Sequence, residues 1–199
     1  MTKCDLESLL KDSGVPAARA REWAEPLANA MAKADINTPL RVGHFLAQLY
    51  HESVLLKYRQ EIWGPTPAQR RYEGRRDLGN TQKGDGYLFR GRGPIQLTGR
   101  ANYTAFNVWL KAKGYNADVV RNPNLVAMLD YGTLAATWFW ERNKLNRYAD
   151  GGDDVRDVRA VTRVINGGYN GIADRINYFV KVMIPIRKMC GYKSDTQPL

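Results

Sequence analysis

Helical periodicity runs through this chain in two blocks, separated by a stretch from Gly64 to Gly99 that carries none. The first block reads as three helices. Leu6, Leu9 and Leu10 make a short apolar face, and Pro16 suits the first turn of a second helix continuing through Trp23, Ala24, Leu27 and Met31. Asn37-Thr38-Pro39 is a start signal for the third, with Thr38 as N-cap and Pro39 at the first helical position. Its apolar face is Leu40, Val42, Phe45, Leu46 and Leu49. In the middle stretch Gly79-Asn80 and Gly84-Asp85-Gly86 signal turns, and short strands are expected around Tyr87 to Arg90 and Ile95 to Thr98. An irregular segment this long inside a domain is usually functional. Periodicity returns at Tyr103 to Ala112, Leu125 to Asn143, Val155 to Ile165 and Ile172 to Met189. The run Leu134 to Trp140 is apolar on most sides, which marks its helix as central.

The 199 residues suffice for one domain with a real core, and a 44% apolar, 25% charged composition is that of a globular protein. The expectation is a mainly α, two-lobed helical domain over 1–199, with a small irregular, weakly β insertion at about 64–99 flooring a cleft walled by helices. Only the tail from Lys193 to Leu199 reads as disordered. No apolar run approaches a membrane span, so no stable membrane insertion is expected. The opening Met1-Thr-Lys-Cys-Asp-Leu-Glu7 lacks the apolar core of a secretory signal. Cys4 and Cys190 have no spacing that suggests a metal, and they read as free thiols, although they would pair if the termini met. Thirty Lys and Arg against twenty Asp and Glu give a net charge of +10, which favours a polyanionic partner. The basic residues read as scattered, with a modest cluster at Arg70, Arg71, Arg75 and Arg76 plus Arg90 and Arg92, and no nucleic-acid module accompanies them.

The carboxylates are the chemistry-bearing candidates. Glu52 follows Tyr50-His51 at the end of an apolar-faced helix, so it is either a buried, functional acid or an exposed residue on the helix's polar side. Glu61 lies nine residues on, and nine steps of a continuous helix come to about 900°, half a turn out of phase. The two can face one cleft only if the helix ends or bends between them. Trp63-Gly64-Pro65 shows it has ended by then, yet nothing between Ser53 and Gln60 is a breaker. Glu73, inside the irregular stretch, competes for the second role. In Phe89 to Gly99, Gln96 and Thr98 would share a strand face, holding a water and a sugar or lying on the wet side of a glycine hairpin. Asn166 to Gly171 reads as a helix end with Gly167 or Gly168 past it, or as two asparagines offered to sugar hydroxyls.

Four stretches, in order, resemble glycoside hydrolase family 19, the class I and II chitinases and related phage endolysins. They are Phe45-Leu-Ala-Gln-Leu-Tyr-His-Glu-Ser53, Glu61-Ile-Trp63, Gly84 through Tyr103, and Ile165-Asn-Gly-Gly-Tyr-Asn-Gly171 with Asp174-Arg175. The resemblance implies a lysozyme-like fold and an inverting hydrolysis without cofactor or metal. Glu52 matches the general acid, Glu61 the general base, and Thr98 the hydroxyl that helps hold the attacking water. His51, Gln96, Asn102, Tyr103, Asn166 and Arg175 match residues that bind substrate or orient the pair. Val54-Leu55 stand where many relatives have two glycines, so a different local bend is expected. Asn170 stands where plant chitinases tend to carry a Glu, which tilts the implied substrate from chitin to peptidoglycan. The expectation is a monomeric endolysin that lyses bacteria, made in the host cytoplasm and released through holin pores. No separate wall-binding domain and no nucleic-acid partner are expected.

Overall fold

The structure, a computed structural model, describes residues 3–193, with side chains from Asp5 onward. Along these residues run α1 (Lys3–Asp12), α2 (Ala17–Lys33), α3 (Pro39–Ser53), α4 (Pro67–Arg70), α5 (Asp85–Leu88), α6 (Arg100–Ala112), α7 (Leu129–Arg142), α8 (Asn146–Ala149), α9 (Val155–Asn166) and α10 (Ile172–Cys190). By internal contacts the chain divides into two compact units, Met1–Lys57 with Phe139–Leu199, and Tyr58–Trp138.

In the first unit local signals set the helix starts. The Thr38 hydroxyl accepts the Arg41 amide at 3.3 Å and Pro39 opens α3, as the sequence predicts. Asp154 and Asp157 form a reciprocal capping box on α9, and Gly167 ends that helix at φ 74. The core is built where α3 packs along α10, with α1 against α2 and α10, and α9 against α8 and α10. Phe45, Leu46, Leu49, Phe179, Val182, Met183 and Ile186 are buried there, at roughly 1.5–3 kcal/mol for each side chain withdrawn from water. His44 is buried with them, stacked on Phe179 at 4.3 Å, its Nε2 2.9 Å from the Gly152 carbonyl.

The end of α3 departs from expectation. No breaker stands after Ser53, yet Val54, Leu55 and Leu56 take φ of 51°, 55° and 63°, the left-handed region that favours glycine. The bend is thus of the kind glycines would make, without the glycines. Two contacts impose it. The Ser53 hydroxyl captures the Leu56 amide at 2.9 Å, and Arg19 donates to the Leu55 carbonyl at 3.0 Å.

In the second unit, α6 supplies Tyr103, Phe106 and Leu110, which pack with Phe89 and Trp138. Asn80 is fully buried; it donates to the Tyr72 carbonyl and accepts the Arg100 amide, both at 2.9 Å. The expected strands are corrected here. Tyr87 and Leu88 lie in the single turn of α5, and isolated bridges between Gln60 and Arg92 and between Arg92 and Leu97 stand where a hairpin is expected. The buried Asp85 carboxylate is gripped by Arg100 at 2.5 and 2.8 Å and accepts the Gln82 amide, which winds residues 85–88 into a turn.

The expected mainly α architecture stands. Among the described residues no helix is long and apolar enough to cross a membrane, and no cluster of three or more His, Cys, Asp or Glu side chains could hold a metal. Cys190 is a free, exposed thiol. The Cys4 side chain and residues 194–199 lie outside the described residues.

Candidate active site

Glu52 sits one residue before the end of α3, half-buried, with its Oε1 2.5 Å from Nη2 of Arg175 on α10. Arg175 is itself 1% exposed, and a buried guanidinium needs its charge and donors met. They are met in full view of the site. Nη1 donates to Gln48 Oε1 at 2.5 Å and Nε to the Asn170 carbonyl at 3.2 Å. Gln48 passes the chain on to the Thr162 hydroxyl at 3.1 Å, which donates to the Val158 carbonyl at 2.7 Å. One buried polar file from α9 through α3 to α10 therefore fixes one oxygen of Glu52. Among the described residues the other oxygen, Oε2, has no hydrogen-bond partner.

His51, next to it, is held from two sides. Its Nδ1 lies 2.7 Å from Asp174 Oδ2. Gly171, which precedes α10 at φ 68, lies flat against the ring, where a Cβ would fall 2.1 Å from His51 Cε1. Asn166 ends α9, and its Oδ1 accepts the Asn170 amide at 3.3 Å, closing the loop that presents Gly171. The sequence offered a helix end or a sugar-facing loop for this motif. In the structure it is a helix end whose turn packs on His51 and holds Arg175, with Asn166 and Asn170 both exposed.

Glu61 belongs to the second unit. Its amide donates to the Gly91 carbonyl at 2.8 Å and its Oε2 accepts the Gly91 amide at 3.2 Å. Its Oε1 accepts from Gln69 Nε2 at 3.0 Å and lies 3.5 Å from the Tyr72 hydroxyl. Burial, with the Glu61 charge beside it, holds the Tyr72 phenol above its ordinary pKa. Gly91 joins the other candidates: a Cβ there would stand 2.7 Å from Gln96 Oε1 and 3.3 Å from Thr98 Oγ1. Gln96 is in a turn at φ 54, and its Nε2 donates to the Gly93 carbonyl at 3.0 Å. The Thr98 hydroxyl donates to the Gln96 carbonyl at 2.7 Å, which leaves its oxygen to accept.

The remaining candidates divide. Asn102, partly exposed, donates to the Thr98 carbonyl at 2.9 Å. Tyr103 is placed otherwise than expected: it is fully buried, with its hydroxyl donating to the Arg90 carbonyl and accepting from Arg92. Burial pushes its phenol up to about 12, and its place is in the core beneath the loop. Glu73 spends both oxygens on the amides of Gly84 and Gly86, at 2.6 and 2.9 Å, and so ties down the turn that begins α5.

No family model matches the chain. A Haemophilus influenzae protein described as a glycosyl hydrolase family 19 domain-containing protein is 38% identical over 117 residues, 59% of this chain and 52% of that protein. An endochitinase of Arabidopsis thaliana is 32% identical over 148 residues, 70% of this chain and 46% of the plant protein. The chain is a relative of the family 19 glycoside hydrolases. It spans about half the length of the curated relatives it matches. Two solved structures share its fold. The class IV family 19 chitinase from Zea mays superposes with a TM-score of 0.65 at 20% identity, covering 98% of this chain and 95% of that one. Chitinase C from Streptomyces griseus gives 0.64 at 21%, covering 98% and 78%. The lysozyme-like fold implied by the family 19 motifs is thereby shown.

In this family 19 relative, sequence reasoning passed over three residues of the two clusters. Gln48 and Glu52 are four apart on α3 and share a face, a spacing that predicts a common partner. Gln69 is the last residue of a Thr66-Pro-Ala-Gln69 capping box, legible in the sequence as a helix start and used in the structure also to hold Glu61. Tyr72 carries no local signal for its contact with Glu61.

Proposed function

We propose that this chain hydrolyses the β-1,4 bonds between N-acetylated amino sugars of peptidoglycan, with inversion. Glu52 is the general acid. Its Oε1 stays with Arg175 while Oε2, the oxygen without a partner, carries the proton to the departing sugar oxygen. Glu61 takes one proton from a water whose other hydrogen is donated to the Thr98 oxygen, and the water oxygen bonds to the anomeric carbon as the bond to the departing sugar oxygen breaks. Inversion requires the two carboxyls to work about 6.5–9.5 Å apart across the bound sugar. The observation that carries the reading is the buried file Thr162–Gln48–Arg175, which aims one oxygen of a half-buried Glu at the solvent side. A carboxylate needed only for stability has no use for so costly a support.

Peptidoglycan is preferred to chitin because, by the family resemblance, Asn170 stands where plant chitinases tend to carry a Glu, and because the net charge is +10. A chitin substrate is the second reading, favoured by the endochitinases among the plant relatives, an acidic endochitinase of Petunia hybrida included. On the first reading the protein acts as a lysin, released from a host cytoplasm through holin pores to break the cell wall. Digestion of purified sacculi and of chitin oligomers, followed by product masses, separates the two substrates. Glu52→Gln is expected to keep the fold, since its amide still reaches Arg175, and to lower turnover by at least about a thousandfold. A variant that releases reducing ends at the wild-type rate removes Glu52 from the mechanism.

A further inference from the structure

Three arginines that look scattered in the sequence share one face of α9. Arg156, Arg159 and Arg163, spaced by three and four, line a surface groove of about 660 Å³ together with Tyr148 and Tyr169. Arg156 is paired with Asp154. Arg159 lies over the Tyr169 ring, 4.4 Å from its centroid, and among the described residues neither Arg159 nor Arg163 has a carboxylate partner. The acids nearby are spoken for: Asp150 pairs with Arg41, Asp153 with Arg187, and Asp157 caps α9. Two like charges four apart on a helix destabilise it unless an anion lies between them.

The groove adjoins the Glu52 support along the chain. Arg163 is three residues before Asn166, and Tyr169 belongs to the turn whose neighbours Asn170 and Gly171 hold Arg175 and His51. The segment that carries the groove therefore runs directly into the turn that supports Glu52. We infer that the Arg159–Arg163 groove binds the free carboxylates of the peptide branches of peptidoglycan and so sets the preference for that polymer over neutral chitin. The forked guanidinium suits a carboxylate in two-point contact, and the tyrosine rings give apolar flanks to a peptide. The inference rests on the peptidoglycan reading above and names the part of the substrate that it needs.

Cosedimentation tests it. The protein is mixed with intact sacculi, with sacculi whose carboxylates have been converted to amides, and with chitin particles, over a range of salt. The R159Q/R163Q double variant is expected to bind intact sacculi about tenfold more weakly at low ionic strength, with the gap closing as salt screens the charges. R163Q alone should lose about threefold. Binding to amidated sacculi and to chitin should be the same for variant and wild type. Both arginines are exposed, and relief of their mutual repulsion leaves the melting midpoint at or slightly above the wild-type value. Three results would overturn the inference: unchanged binding to intact sacculi, equal loss on chitin, or an effect confined to salt-dependent DNA retention. New reducing ends are assayed in the same tubes. If wild type releases none, the hydrolase reading falls while the binding result stands; if it does and the variant binds as well as wild type, the groove alone falls.

Discussion

Gln69 is 5% exposed and uses both ends of its amide on the loop that carries Glu61. Its Oε1 accepts the amides of Gly64 and Thr66, at 3.2 and 2.7 Å, and its Nε2 donates to Glu61 Oε1 and to the Ile62 carbonyl. Truncation leaves two backbone donors, a carbonyl and a carboxylate oxygen to find water, at about 1–3 kcal/mol. Gln69→Ala is therefore expected to lower the urea midpoint by that much and, because Glu61 loses its orientation, to lower kcat on sacculi more than it alters KM. Loss of stability with kcat intact would reduce Gln69 to a loop fastener. Arg175 acts in the same way on Glu52, but from within the core, where its charge has no alternative partner.

The element scale shows where local chemistry and tertiary context part. The starts of α3 and α9 and the end of α9 were legible because they depend on residues within four positions: Thr38 and Pro39, Asp154 and Asp157, Gly167. So were the bodies of α6, α7, α9 and α10, whose apolar spacing is set by the faces they bury. The end of α3 was not legible. Val54 and Leu55 favour continuation, and the turn is imposed by Arg19, distant in sequence, together with the Ser53 side chain. The turn of α5, in place of a strand, likewise depends on Arg100, fifteen residues from Asp85. The strained turn gives a direct test. Val54 is 50% exposed and β-branched, so its side chain gains little from burial and meets the full penalty of φ 51. Val54→Gly should raise the unfolding free energy by about 1 kcal/mol, the left-handed penalty less part of glycine's own entropy cost. A fall in the urea midpoint would show that Val54 packs more than its exposure implies. Within the candidate site, family likeness placed Arg175 only among residues that bind substrate or orient the carboxylates, and nothing near Glu52 in sequence announces a guanidinium more than a hundred residues away.

At the scale of the whole molecule, one buried group links stability to acidity. Burial lowers the His44 pKa to about 4 from 6.5, so the unfolded chain takes up a proton there that the folded chain refuses. The stabilisation is complete above about pH 6.5 and is lost as pH falls towards 4, in all about 3 kcal/mol. Urea unfolding at pH 7 and pH 4 should show that loss in the wild type, and His44→Gln should flatten the difference; parallel losses in both proteins would place the acid sensitivity elsewhere. A second molecular consequence comes from the turn after α9. Arg175 is anchored to the carbonyl of Asn170 and Asn166 holds its amide, so position 170 contributes only main-chain atoms to the support of Glu52. Its exposed side chain is thereby released from any duty to the reaction machinery. A new side chain at 170 can therefore be carried without moving the carbonyl that anchors Arg175 or the oxygen of Glu52 that Arg175 holds.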